Sequence, residues 1–75
     1  MPEHRDSFRG CVITIVTREF QHAFFNKTYY HIGSVTITRD GKQLDYVFAE
    51  YENRDEGEVY KIALGHAQQH IASLY

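Results

Sequence analysis

Residues 32–49 read IGSVTITRDGKQLDYVFA, and this stretch decides the fold. Its centre, Asp40-Gly41, is a dipeptide typical of a two-residue β-hairpin turn, because both central positions of a type I′ turn need a positive φ. Such a turn pairs Arg39 with Lys42 and fixes the register of the two flanking strands. Counted outward from the turn, one face of the two runs is apolar and carries Val35, Ile37, Leu44, Tyr46 and Phe48. The stretch therefore predicts two antiparallel strands that share one core face.

The register gives that hairpin an apolar face and a face that is polar near the turn. A slip of one residue would bring Asp45 into the core, so the turn and the apolar pattern support the same register. At one position a glycine stands opposite a phenylalanine, whose ring can cover the strand where the glycine has no side chain. The predicted pairs on the apolar face are Ile37 with Leu44, Val35 with Tyr46, and Gly33 with Phe48.

Length and composition indicate one small domain. A chain of 75 residues buries only about 60% of its unfolded surface and is often marginally stable alone, so we expect oligomerisation to add burial. Its single cysteine, Cys11, cannot form an intrachain disulfide, and we expect a buried thiol in a reduced, cytoplasmic setting. No run is apolar and long enough to cross a membrane. We expect a soluble domain over residues 10–75, preceded by a flexible polar arm over residues 1–9.

The stretch from Arg18 to Tyr30 has two interpretations. The strand that begins at Cys11 can continue to about residue 25, turn at Asn26-Lys27 and return, which suits the β-branched and aromatic residues that follow. Alternatively, apolar residues four positions apart form a short helix inserted between the first two strands. We favour the long strand pair.

A helix is predicted at the C-terminus. Asp55 can cap it, and Glu58 can complete a capping box. From Glu58 to about Leu74, one stripe at helical spacing is apolar. The fold class is therefore α+β, an antiparallel three-stranded β-meander with one C-terminal α-helix packed on one face. The stripe consists of Val59, Tyr60, Ala63, Leu64, Ala67, Ile71 and Leu74.

The face of the sheet that the helix leaves uncovered is the main functional candidate. An uncovered, partly apolar face beside acidic residues indicates a docking surface for another protein. Six tyrosines and a small core also favour a homodimer. We expect a non-enzymatic regulator or inhibitor of a partner protein, by analogy with small accessory proteins of phages and plasmids. The candidate partner-binding residues are Tyr30, Ile32, Val47, Glu50, Tyr51 and Glu52.

Nucleic-acid binding is an alternative that we do not favour. Arg39 and Lys42 flank the hairpin tip, and Arg5 and Arg9 lie on the N-terminal arm. Some sheet-and-helix domains do read DNA with strands. A formal net charge of −2 gives no general attraction to phosphates, however. Basic residues near a hairpin also serve to prevent aggregation between strand edges.

No motif for catalysis or for a cofactor is found. The sequence holds no phosphate-binding glycine loop, nucleophile elbow or CxxC motif. His66 and His70 lie one helical turn apart, a spacing that can hold a metal ion. Ala67 follows the first histidine where the helical motif of zinc proteases has its glutamate base. We therefore expect neither an enzyme nor a metal site, and His66 and His70 remain weak metal candidates.

Overall fold

The computed structural model describes residues 3–22, 24 and 27–75, and it confirms an α+β fold with a C-terminal helix packed on an antiparallel sheet. Within these residues the sheet has five strands, two more than predicted. The strand order is β1-β2-β3-β4, and β5 also pairs with β3. The elements are β1 (Glu3–Phe8), β2 (Cys11–His22), β3 (Lys27–Arg39), β4 (Lys42–Gln43), β5 (Glu52–Asn53) and α1 (Glu56–Leu74).

The hairpin of β2 and β3 gives the protein its length. At ~3.3 Å per residue, 12 residues in β2 and 13 in β3 span about 40 Å. The whole molecule measures 43 × 21 × 18 Å. Residues 18–22 and 27–30 belong to these strands, so the long strand pair is confirmed there and the alternative short helix is wrong. Asn26, in the predicted turn, lies outside the described residues.

A β-bulge at Gly33 determines which side chains of β3 reach the core. Val16 pairs with Ser34, but the next residue, Thr17, pairs with Ile32, so Gly33 is skipped. The extra residue reverses the alternation of side chains along the strand. Ile32 consequently faces the helix and is only 4% exposed. The prediction that Ile32 belongs to the uncovered face is wrong for this reason.

The side chain that covers Gly33 also differs from the prediction. A Cβ at this position would lie 2.8 Å from both Cγ and Nε of Arg18, so the arginine side chain lies across the glycine. Phe48 packs against the core instead. A glycine within a strand often marks such a close approach.

The third predicted strand is only partly formed. The pairs at the hairpin tip are confirmed, and Leu44 N–H donates to the carbonyl of Ile37 at 2.8 Å. The next contact with β3 comes where Ile32 N–H donates to the carbonyl of Tyr51 at 3.3 Å. Between these two hydrogen bonds, six residues of the returning chain face four residues of β3. The two extra residues disrupt the ladder, so the segment contributes only the short strands β4 and β5.

The N-terminal residues form an edge strand, where the sequence predicts a flexible arm. Glu3–Phe8 pairs with β2 along its whole length. The intervening turn, Arg9-Gly10, has φ values of 50° and 79°, and those of Asp40-Gly41 are 52° and 79°. The two turns therefore share one conformation. β1 carries mostly charged and polar side chains, as edge strands often do, and its sequence therefore shows no apolar pattern.

The helix is capped and packed largely as predicted. Oδ1 of Asp55 accepts the N–H of Gly57 at 2.9 Å. The carboxylate of Glu58 lies 3.8 Å from Nζ of Lys61, so this side chain pairs within the helix. Leu44, Tyr46 and Phe48 pack against the helix-covered core, as expected. The buried residues that form this core are Cys11, Ile13, Ile15, Ile32, Val35, Ile37, Val59, Ala63, Ala67 and Ile71.

Candidate functional site

The helix covers only part of the long hairpin. At its N-terminal end, the hydroxyl of Thr17 donates to Oε1 of Glu56 at 3.1 Å. At its C-terminal end, the guanidinium carbon of Arg39 lies 4.0 Å from the ring centroid of Tyr75. β2 runs on for five residues past Thr17, to His22. The end of the β2–β3 hairpin therefore extends beyond the helix.

An open groove of about 610 Å³ lies at this end of the sheet. Its lining comes from β2, from β3 and from the chain that rejoins β3 as β5. Of the six described residues that line it, two are glutamates and three carry an aromatic ring. We call it the acidic groove, and it is lined by Phe20, His31, Ile32, Glu50, Tyr51 and Glu52.

Cross-strand pairing builds the aromatic part of the acidic groove. Phe20 is opposite Tyr29 on β3, and their ring centroids are 5.8 Å apart in a stacked arrangement. The ring of His31 meets Phe20 edge-on, with centroids 5.4 Å apart. Contacts of this geometry add stabilisation beyond the area they bury. The rings hold one another in place, so the groove has a preformed apolar wall.

Two exposed carboxylates lie beside these rings. Glu52 pairs with His31 across the strands, and Glu50 is two residues earlier on the same segment. Among the described residues, neither Glu50 nor Glu52 forms a salt bridge. Arg18 pairs with His31 from the other side, but its side chain lies across Gly33. The groove thus presents two negative charges that the described part of the chain does not neutralise.

The structure separates the six residues predicted to form one docking face. Glu50, Glu52, Tyr51 and Ile32 do line the acidic groove. Tyr30 packs against the core on the helix side, because it precedes the bulge, and Tyr51 also contacts the core. Val47 is 94% exposed and is not part of the groove lining. The predicted uncovered face is therefore wrong for Tyr30, Ile32 and Tyr51, although four of the six predicted residues line the groove.

Phe20 and His31 were missed as site residues. Phe20 is on the face of β2 opposite the helix, because Ile15 and Thr17 face the helix, and its local pattern does not show which residues of other strands meet it there. His31 reaches the groove only because the bulge at Gly33 shifts its register. The available signal for Phe20 was the alternation of β2, which places Phe20 on the same face as Val12 and on the opposite face from Ile13.

Three of the four basic residues of the nucleic-acid alternative, Arg9, Arg39 and Lys42, lie at the opposite end of the sheet, at its two tight turns, and Arg5 is in the middle of β1. Nη1 of Arg39 donates to the carbonyl of Arg9 at 3.0 Å. Arg9 lies over the ring of Phe8, with its guanidinium carbon 5.3 Å from the centroid. Arg5 pairs with a glutamate of its own strand at 3.0 Å. Of the four predicted contacts, three are engaged within the chain, and Lys42 is exposed.

The two helix histidines lie in different environments. His66 is exposed, whereas the ring of His70 lies 4.8 Å from that of Tyr46. Within residues 3–22, 24 and 27–75, no group of three or more metal-ligating side chains is close enough to hold an ion. The contact with Tyr46 makes His70 part of the packing between the helix and the returning chain.

A polar cluster on the covered side of the sheet connects β1 to the helix. Nε2 of His4 hydrogen-bonds to Oε1 of Glu56, which also accepts the hydroxyl of the fully buried Thr17. The rings of His4 and Tyr60 lie 4.4 Å apart, and the Tyr60 hydroxyl donates to Oδ2 of Asp6 at 3.4 Å. These groups satisfy one another, so we assign the cluster a structural role in fixing β1.

Glu56→Ala is expected to lower the free energy of unfolding by about 1–3 kcal/mol, because it leaves the buried Thr17 hydroxyl without an acceptor. Urea denaturation followed by circular dichroism measures the loss. Glu58→Ala is the matched control, since it removes an exposed carboxylate from the same helical turn and is expected to cost less than about 1 kcal/mol. Equal losses in the two variants would contradict the role assigned to Glu56.

Two tyrosines are expected to make stability fall at high pH. Burial raises the pKa of Tyr46, and burial together with the charge and hydrogen bond of Asp6 raises the pKa of Tyr60. Tyrosine ionises near pH 10 in the unfolded chain and only at higher pH in the folded protein. Ionisation therefore favours the unfolded state. This stabilisation is complete below about pH 10 and is lost as the pH rises through the raised values.

The pH dependence can be measured as the urea midpoint between about pH 8 and 11. The double variant Tyr46→Phe plus Tyr60→Phe is expected to show a shallower fall than the wild type. If the two curves fall in parallel, these tyrosines do not carry the effect.

No protein family, curated protein or solved structure matches the chain. Within the described residues, no helix combines the length and the apolar character that crossing a bilayer requires. A functional proposal therefore depends on the geometry of the acidic groove itself.

Proposed function

We propose that the protein is a non-enzymatic binding module that docks another protein through the acidic groove. The observation that supports this most is the pair of carboxylates, Glu50 and Glu52, without ion-pair partners among the described residues, beside the ring of Phe20. Aromatic side chains supply much of the binding energy at protein interfaces. Unpaired charges at the rim select a partner and accelerate its association.

The exposure of the groove also favours docking over chemistry. Acid–base catalysis by two carboxylates needs surroundings that exclude water and separate their pKa values. Glu50 and Glu52 are both exposed, and the groove is open. An open groove can receive a protruding segment of a partner protein, but it cannot surround a small substrate and exclude water from it. We propose a regulatory or inhibitory role in the cytoplasm, where the buried free thiol of Cys11 stays reduced.

Capture of a partner from extracts of the source organism tests this proposal. Immobilised wild-type protein is compared with Phe20→Ala, which removes a ring from the groove wall. Phe24→Ala is the matched control, because Phe24 is 90% exposed and does not line the groove. We expect Phe20→Ala to lose the captured protein by at least about tenfold, as for an interface hot spot. Thermal denaturation confirms that the variant is folded.

The proposal fails if the Phe20→Ala and Phe24→Ala variants capture the same protein to the same extent. In that case the partner docks on another surface.

We also propose a homodimer, for which the face of the sheet opposite the helix provides a surface. Val12 on that face is 43% exposed, and Thr14 and Val16 are partly exposed. Sedimentation equilibrium at high protein concentration is expected to give twice the chain mass of 8.8 kDa. A single species of chain mass under those conditions would exclude the dimer.

A further inference from the structure

We propose that the acidic groove receives an arginine side chain of the partner, an inference that depends on the docking function proposed above. Glu50 and Glu52 supply the anionic side of the groove, and Phe20 and His31 supply the ring wall. A guanidinium can satisfy both at once, since it donates to carboxylates and stacks on aromatic rings.

Charge complementarity selects a cation. Two exposed carboxylates on alternate residues of one segment attract a positive group, and none of the described residues supplies one as an ion pair. Arg18 is the basic residue paired across the strands with His31, but its side chain lies across Gly33. A cation of the partner would therefore pair with carboxylates that form no salt bridge within the described part of the chain.

The ring wall favours arginine over lysine. The planar guanidinium carries five donors, is weakly hydrated and stacks on aromatic faces, whereas the ammonium of lysine is compact and strongly hydrated. Phe20 is held by its contacts with Tyr29 and His31, so a flat apolar surface is in place before binding. A preformed surface reduces the entropic cost of binding. A metal ion is not favoured, because no group of three ligating side chains forms among the described residues.

A titration with short peptides tests the inference. Isotopically labelled wild-type protein is titrated with the peptide acetyl-Gly-Gly-Arg-Gly-Gly-amide, and two-dimensional NMR follows the backbone amides. The same peptide with citrulline in place of arginine is the matched probe, since citrulline keeps the shape of the side chain and removes its charge. A lysine peptide is the third probe.

We expect saturable shifts at groove residues with millimolar arginine peptide. Affinity is expected to fall by about tenfold or more with citrulline, because charge-assisted hydrogen bonds are lost, and to be lower for lysine than for arginine. The protein variant Glu50→Gln plus Glu52→Gln is expected to show the same tenfold loss. Asp45→Asn plus Glu58→Gln removes two charges outside the groove and is expected to bind like the wild type.

Equal shifts with arginine and citrulline, or unchanged binding by the Glu50→Gln plus Glu52→Gln variant, would overturn the inference. Loss of partner capture by Phe20→Ala without arginine binding would leave the docking function standing and refute arginine as the occupant. Arginine binding in the groove combined with unchanged capture by Phe20→Ala would refute the docking function instead.

Discussion

Ile37→Ala is expected to unfold much of the protein, since it removes about 2–5 kcal/mol from the free energy of unfolding. Ile37 is fully buried and lies opposite Ile13, beneath the helix. Truncation leaves a cavity that the packed strands and helix cannot fill by a local shift. A domain of this size has a total stability of about 3–5 kcal/mol, so the loss approaches the whole.

Urea denaturation followed by circular dichroism measures the effect of Ile37→Ala. Val12→Ala is the control, because Val12 is on the opposite face and is 43% exposed. We expect the control to lose less than about 1 kcal/mol. Comparable losses would mean that the face of Ile37 is not buried, or that the face of Val12 is not exposed, as described.

Ala67→Leu is the second substitution with a large expected effect. Ala67 is fully buried where the helix packs on the sheet, and its small side chain permits the close approach. A leucine there overpacks the interface and is expected to cost about 1–3 kcal/mol. Each kcal/mol lowers the melting temperature of a domain this size by about 4–8 °C.

Thermal denaturation compares Ala67→Leu with Ala72→Leu. Ala72 is on the exposed side of the same helix, and leucine has nearly the helix propensity of alanine. The control is expected to melt within a few degrees of the wild type. If Ala67→Leu melts at or above the wild-type temperature, the helix does not pack closely on the sheet at this point.

Local chemistry made the hairpin tip and the helix predictable. A two-residue hairpin turn requires positive φ values, which Asp40 and Gly41 adopt. Asp55 supplies the oxygen that caps the helix. Apolar spacing alone then identifies the buried helix face. These features depend on residues that are close together in the sequence, and a local sequence pattern can reveal them.

The bulge at Gly33 could not be predicted in the same way. A glycine within a strand is compatible with a regular pair or with a bulge, and the choice depends on how β2 and β3 twist against the helix. Because the bulge reverses the alternation, it also moved Ile32 and Tyr30 from the predicted docking face to the core side. The bulge thus accounts for two of the three residues, Tyr30 and Ile32, that were predicted on the wrong face of the sheet.

The acidic groove was only half predictable. Glu50, Tyr51 and Glu52 stand together in the sequence, so their shared surface could be proposed directly. Phe20 and His31 are eleven residues apart in the sequence and meet only through strand pairing. The edge strand β1 was missed for a related reason, because its charged residues show no apolar pattern and their pairing with β2 is long-range.

Chemical-shift mapping with the captured partner tests the docking function most directly. The labelled protein is mixed with the unlabelled partner, and amide shifts are recorded for all assigned residues. We predict the largest changes at Phe20, His31 and residues 50–52, with little change at Val12 and Thr14, which lie on the same face of β2 as Phe20 but nearer the other end of the sheet. Largest changes at Val12 and Thr14, with the groove residues unmoved, would contradict the docking function.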